Sequence, residues 1–327
     1  MGINPSYKIF ANQQDITSNI QNRLVKLSIS DSAGIESDTL NIIVDDSDDR
    51  VEIPATGVRL EVLMGYGEEL LNMGSFVVDD LSFSSTPQRY TIRASAAPVE
   101  GSNTNAMQSQ KSRSFENTTL EEVVKTVAAE NNLEAFVSQS LKNTLYQNLE
   151  QTAESDLNMV TRLANDLNAI AKPAGGKLLF VKQGEGKSSS GEKLATISIV
   201  ENEVSSYNWR ESKSTKAGTV KASYHNLETG ETEEVQAGEG EPIFSIKYQY
   251  PSKEEAERAA RNRLEQNTQN KSTLNIQMAG NASLSAELKL NLTGFRKTIN
   301  GEWTVKTVQH DFDKSSGYVC NITATRG

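Results

Sequence analysis

The chain has 327 residues, enough to bury two or three hydrophobic cores, and 23% of them are charged. Its 43 acidic residues outnumber 33 basic ones, and the net charge of −10 argues against a nucleic-acid-binding surface or an anionic membrane surface. The single cysteine, Cys320, excludes an intramolecular disulfide and fits synthesis in a reducing cytosol. No run of about 18 apolar residues marks a membrane span. Met1–Phe10 lacks the basic start and apolar core of a signal peptide, so a soluble chain made in the cytoplasm is expected.

Taken in order, Tyr7–Phe10 reads as a short strand. Val25, Leu27 and Ile29 alternate with Lys26, Ser28 and Ser30, and Leu40, Ile42 and Val44 form the next half-buried run. An acidic turn, Asp45–Asp49, precedes Val58, Leu60, Val62 and Met64, then a hairpin around Phe76 and Val78 and a strand at Tyr90–Ala94. Short strands at regular spacing predict a closed barrel or sandwich.

The pattern changes after Pro98. Residues 101–114 read as a polar loop. Thr118 and Glu121 form a capping-box pattern ahead of Leu120, Val123, Val124, Val127 and Ala128 on one helical face. A further helix is predicted from about Ala153 to Asn168, closed by Pro173 and Gly175-Gly176, and Lys177–Val181 is a short strand. A flexible Gly/Ser/Lys stretch, Gly184–Lys193, follows. Ile197 and Ile199 restart the strands, and Trp209 and Tyr224 lie in further β-like segments. Glu228–Glu241 is acidic and Gly-rich and reads as a surface loop. Ser252 with Glu255 marks another helix start, with Ala256, Ala259, Ala260 and Leu264 on one face, predicted to lie on the strands that follow. Those strands carry Leu274, Ile276 and Met278, then Leu288, Leu290 and Leu292, then Trp303 and Val305 after the Asn300-Gly301 turn, and last Tyr318, Cys320, Ile322 and Ala324.

This last stretch echoes an earlier one. Gly65-Tyr66 matches Gly294-Phe295, and Gly74-Ser-Phe76-Val-Val78 matches Gly301-Glu-Trp303-Thr-Val305. Leu81 and Val308 each lie seven residues past those turn glycines, and Tyr90–Ala94 resembles Tyr318–Ala324. Several features recurring in order at near-constant spacing point to an internal duplication. The fold expected is mainly β with an α/β insert: two similar antiparallel β-barrel domains, 1–98 and 188–327, the second carrying a packed helix at 252–268, with an insert at 99–187.

Candidates for chemistry are few. His225 and His310 are the two histidines. His310 beside Asp311 and Asp313 could support general-base work, but no paired nucleophile is evident, and a structural role is preferred. Asp45–Asp49 could offer carboxylates to calcium, but it lacks the spaced ligands, central Gly and terminal Glu of an EF-hand, so a solvated turn is preferred. Gly186-Lys187-Ser188 mimics the end of a phosphate-binding loop, yet Val181 stands where the first Gly is required. Cys320 alternates with core residues and reads as a buried thiol. Trp303 and Phe295 could anchor a partner, but core packing is the better reading. No catalytic, cofactor-binding or metal-binding residue is therefore expected.

The order of several stretches resembles the phage late control protein D family, the baseplate hub of contractile-tailed phages. They are Asp15–Leu24, Asp38–Asp46, Gly74–Asp79 with Tyr90–Ala94, Thr118–Lys125 with Glu154–Asp156 and Thr161–Ala164, and Gly294–Phe295 through Trp303–His310 and Gly317–Tyr318. Together they span nearly the whole chain. The segment between Trp209 and Ile243 is short and acidic where relatives can carry a long basic insertion. The resemblance implies a structural protein without enzymatic activity. It implies a homotrimer joining the hexameric tail tube to the trimeric central spike, similar to the base of type VI secretion spike proteins, and forming part of the DNA ejection channel. Implied partners are the tail spike protein, the tail tube protein, other baseplate proteins and the tape measure protein, with residence in the virion tail. The alternatives are a hub of a contractile bacteriocin or type VI-like device, or a cell-wall hydrolase.

Overall fold

A computed structural model describes residues 4–33, 37–52, 54–97, 106–174, 176–182, 196–212, 218–226, 229–268 and 271–326. The chain is mainly β and divides into two compact units. Unit 1 comprises Met1–Ala97, Leu194–Arg210 and Ser272–Arg326; unit 2 comprises Pro98–Lys193 and Glu211–Lys271, with Gly327.

The main strands of unit 1, in chain order, are β1 (Pro5–Ala11), β2 (Leu24–Ser32), β3 (Thr39–Asp45), β4 (Arg59–Tyr66), β5 (Glu69–Ser85) and β6 (Gln88–Ala96). Then come β7 (Thr196–Val200), β8 (Val204–Ser212), β9 (Lys271–Ala279), β10 (Lys289–Thr293), β11 (Gly301–Asp313) and β12 (Gly317–Arg326). The predicted alternation buries one face of each: Leu40, Ile42 and Val44 on β3 and Leu60, Val62 and Met64 on β4 are almost fully enclosed. On β2 the inward residue near the start is Leu24, whereas Val25 is only half-buried. A register shift between Leu24 and Lys26 turns the chain by one residue there.

The first six strands and the second six repeat one arrangement. The first ladder runs β2-β3-β6-β5-β4, with β1 beside β4. The second runs β8-β9-β12-β11-β10, with β7 beside β10, which is the same order with six added to every label. The two ladders are not separate closed barrels, as the spacing had suggested. They join as one 13-stranded sheet over one continuous core. The physical reason is a mismatch in length. β11 has 13 residues and β10 only five, so the far half of β11 extends past its neighbour. That half pairs antiparallel with β2, from Thr307 opposite Ser32 to Asp313 opposite Lys26.

Unit 2 contains α1 (Leu120–Glu130) and α2 (Asp156–Asp166). They pack with a two-stranded pair, Gln110–Thr119 and Leu145–Ser155, and with a three-stranded sheet built on Lys177–Lys182. The α1 cap is Thr119 with Glu122, one residue later than the Thr118–Glu121 pattern. Strand pairing holds Thr118 and Thr119 opposite Tyr146 and Leu145, so the helix starts where the ladder ends. Residues 110–114, expected to be loop, belong to the first of these strands. Half of the stretch read as an acidic loop at 228–241 is also strand, Thr232–Gly238, paired with Thr219–His225. The α3 helix (Lys253–Thr268) does approach a sheet through Ala256, Ala259 and Ala260. That sheet is the three-stranded one centred on Thr219–His225, not the β9–β12 strands, so the helix lies in unit 2 and not with the second set of repeat strands. An alanine face permits close packing on any apolar sheet, and sequence periodicity does not select which one.

Candidate functional site

The repeat is exact enough in register to be followed residue by residue. Phe76 and Trp303 each lie two residues past a glycine at positive φ, Gly74 at +121° and Gly301 at +110°. Each faces a leucine on the neighbouring strand, Leu60 or Leu290, and each ring is 1% exposed. Val78 then pairs with Ala94, and Val305 with Ala324. In both ladders a register shift follows at once, between Val78 and Asp80 and between Val305 and Thr307. Beyond it Leu81 pairs with Ile92, and Val308 with Ile322. On the next strands Leu40 and Leu274 face the two alanines, and Ile42 and Ile276 the two isoleucines. A β-bulge re-aims the strand that carries it, so its recurrence at one position is strong evidence that β5 and β11 are the same structural device.

The two devices end differently. The far half of β11 is covered by β2. The near half of β5 pairs with β4 as far as Val77, but among the described residues the far half, Asp80–Ser85, is hydrogen-bonded only to β6. Strand β8, the counterpart of β2, likewise ends its side of the sheet. Among the described residues the far half of β5 and the outer side of β8 are thus left without a covering strand, and they correspond to the two sides of the filled β11–β2 junction.

The residues singled out for chemistry are taken up by structure. His310 is buried on β11. Its Nδ1 accepts from the Tyr318 hydroxyl at 2.7 Å, its Nε2–H donates to the Leu284 carbonyl at 3.2 Å, and Cys320 Sγ lies 3.3 Å from Nδ1. Burial lowers the His310 pKa, and burial pushes the Cys320 thiol up to about 11, so the thiolate is scarce at neutral pH. Asp311 accepts from Ser28 at 2.6 Å and pairs with Lys26 at 3.0 Å, tying β11 to β2. Asp313 accepts from Ser315 and Ser316 in the turn to β12, and those hydrogen bonds hold its pKa low. His225 is exposed at the end of its strand. In the acidic turn Asp45 accepts from Ser47, Asp46 from the Arg50 and Val51 amides, and Asp48 pairs with Arg23. Trp303 Nε1–H donates to the Ile299 carbonyl at 2.6 Å, with the Arg326 guanidinium 4.6 Å from its ring, and Phe295 meets Tyr207 edge-on. Gly186-Lys187-Ser188 and Gly184–Lys193 lie outside the described residues.

Unit 2 holds a polar network that sequence reading missed. Asp156, fully buried, accepts from Lys111 at 2.6 Å, Arg113 at 2.8 Å, Gln151 at 3.0 Å and Asn131 at 3.2 Å. These donors keep its pKa low against the desolvation that opposes them. The same unit buries Glu255, where burial raises the pKa to about 7. Every donor to Asp156 sits within the fold, so the network reads as an ionic core joining α1, α2 and the Gln110–Thr119 strand.

The chain is mainly β with a duplicated ladder, and its class comes from comparison with known proteins. The phage tail baseplate hub (GPD) family model matches residues 83–316, and the chain belongs to this family. It is 30% identical over 95% of its length to a probable baseplate hub protein of Escherichia phage 186, covering 90% of that protein. It shares the fold of a 43 kDa tail protein of prophage MuSo2 from Shewanella oneidensis, with a TM-score of 0.68 at 13% identity over 98% of both chains. A looser likeness, TM-score 0.53 at 12% identity over 92% of this chain and 73% of the other, links it to an Escherichia coli component of the type VI secretion system.

Proposed function

We propose that the chain is a structural, non-enzymatic hub of a contractile phage tail: a homotrimer that joins the hexameric tail tube to the trimeric central spike and forms part of the DNA ejection channel. The observation that carries this reading is the shared strand order of the two ladders. Three chains with two like ladders each present six like surfaces, so a threefold object can match a sixfold ring. The two tube-like domains of the hub are then the two ladders, and what remains unclosed in one chain closes between chains. The net charge of −10 suits a channel through which DNA must pass without sticking. Partners on this reading are the spike, the tube, other baseplate proteins and the tape measure protein, and the protein resides in the virion tail. His310 and Cys320, the side chains best suited to acid–base or nucleophilic work, sit inside the core of the second ladder, which supports a role without catalysis.

Light scattering at micromolar concentration tests the assembly. A mass near three times 35.8 kDa is expected, and a monodisperse dimer overturns the proposal. Electron microscopy of the chain with its spike should show six similar ladders around the threefold axis. The likeness to the type VI component favours a second reading, the hub of a secretion or bacteriocin device. Capsid and terminase genes beside this one decide for a phage.

A further inference from the structure

We infer that unit 2 contains a proton-operated joint: Glu255, in the first turn of α3, is neutral while α3 is seated against α2, and its ionisation unseats the helix. The joint lies within one chain and needs no second copy, so it stands apart from the hub reading.

α3 touches two cores. Its alanine face, Ala256, Ala259 and Ala260, belongs to the core of the three-stranded sheet centred on Thr219–His225. It also meets α2, whose Met159, Val160 and Leu163 belong to the α1–α2 core. The contact between the two is polar. The Tyr250 hydroxyl donates to Asp166 Oδ1 at 3.1 Å, and Asn262 Nδ2–H donates to the Asp166 carbonyl at 2.6 Å. Glu255 follows Ser252 by three residues, and its backbone N–H donates to Ser252 Oγ at 3.3 Å. In a full capping box its carboxylate would accept the Ser252 N–H in return. Here Glu255 is only 7% exposed, and its buried Oε1 accepts no hydrogen bond. Tyr146, on the strand Leu145–Ser155, also has a buried hydroxyl without a partner.

A buried carboxylate oxygen without a donor is strongly unfavourable as an anion and far less so as a neutral acid. The charges around Glu255 divide. Arg258 and the Ser252 hydroxyl favour the anion, as does the positive end of α3, whereas Asp166 on α2 and Glu254 on α3 oppose it. Arg258 is drawn over the Tyr146 ring at 5.3 Å. Arg162 of α2 is paired with Glu154 at 2.7 Å and lies over the Tyr248 ring. Tyr146, Tyr248 and Tyr250 have raised pKa values and stay neutral. Burial is the largest influence and outweighs the cations, so Glu255 stands at about 7 against an ordinary 4.5, and burial raises Asp166 as well. The sign follows. An opened α3 releases the Glu255 proton first as pH rises, so the seated joint is at full strength below about pH 4.5 and weakens as pH rises to about 7. Across that window the opening constant should rise by about tenfold per pH unit, then level off.

Amide hydrogen exchange of the full chain, read by mass spectrometry from about pH 5 to about pH 8 and corrected for the intrinsic exchange rate, tests this. Peptides covering residues 252–264 should lose protection by about tenfold per pH unit up to about pH 7 and then plateau, while the strands of unit 1 do not follow. Glu255→Gln, neutral at every pH, should hold that protection flat. Glu257→Gln, which removes a carboxylate paired with Arg261 at 3.5 Å, should keep the slope. Flat protection in the wild type, or a slope that survives Glu255→Gln, overturns the joint. If Glu255→Gln misfolds, infrared spectra of the wild type decide. A protonated carboxyl band should persist at about pH 6 and fade by about pH 8 as residues 252–264 open, and its absence at about pH 6 overturns the proposal.

Discussion

The two ladders of unit 1 agree in their interiors and diverge at their rims. Phe76 and Trp303, Val78 and Val305, Ala94 and Ala324 keep the same registers, and the bulge keeps its place. The outer strands do not keep theirs: β1 lies antiparallel to β4, whereas β7 lies parallel to β10. Where one ladder buries His310 the other exposes Phe83. Core positions are constrained by dense packing, so both copies hold them. Rim positions are constrained by whatever lies alongside, and β2 lies along the far half of β11, whereas among the described residues the far half of β5 pairs only with β6.

The sharpest way to break the comparison is to empty the matched core sites. Phe76→Ala and Trp303→Ala should each cost about 3–5 kcal/mol in chemical denaturation. Loss at Trp303 should be the larger, because the Ile299 carbonyl and the Arg326 guanidinium also lose their partner. A cost near zero at either site would show that the two rings are not equivalent. Next come the turn glycines. Gly74→Ala and Gly301→Ala force an alanine to positive φ, and each should destabilise by roughly 1–3 kcal/mol. The two costs should be alike, since an added Cβ meets only ordinary contacts, the Phe76 ring at 3.4 Å from Gly74 and the Arg326 side chain at 3.7 Å from Gly301, and the backbone strain is shared.

The smallest effect separates the ladders by pH. Burial lowers the His310 pKa below the ordinary imidazole value near 6.5, with Asp31 and Asp311 opposing that shift. The unfolded chain therefore takes up this proton first as pH falls. The stability that the neutral ring contributes is whole above about pH 6.5 and is lost as pH drops toward the folded-state pKa. His310→Phe should flatten that part of the melting profile. The same titration of Phe83→His, made on the dissociated single chain, should show no comparable loss, because that site is half open to water there. Equal slopes for both would mean the two sites share one environment.

How much of this was legible in the sequence follows from what each region packs against. The duplicated hairpin was legible because glycines, aromatics and β-branched residues report burial at period two. The Gln110–Thr119 strand was not, because its side chains are mostly polar and it is anchored through Lys111 and Arg113 to the buried Asp156, a contact without periodicity. Thr232–Gly238 was masked in the same way, as its acidic residues meet Lys221, Tyr224 and Asn226 across the strand pair. The α3 face was visible, but not the sheet it covers. The unfilled edges were invisible as well: hydrogen-bond vacancy is a property of neighbours, and Phe83 in sequence is only another aromatic on a strand.

The junction of β11 with β2 has a consequence for how the protein is made. It ties Ser28 to Asp311, 283 residues apart. At bacterial synthesis rates of roughly 5–20 residues per second, β2 leaves the ribosome roughly 15–60 s before the strand that will cover it. During that interval the edge of β2 that β11 will cover is open to pairing with other strands. Nascent chains crowded on one message therefore carry an exposed strand edge until β11 emerges. A chain truncated before Gly301 should keep the β2 edge uncovered and should copurify with the full-length protein or aggregate.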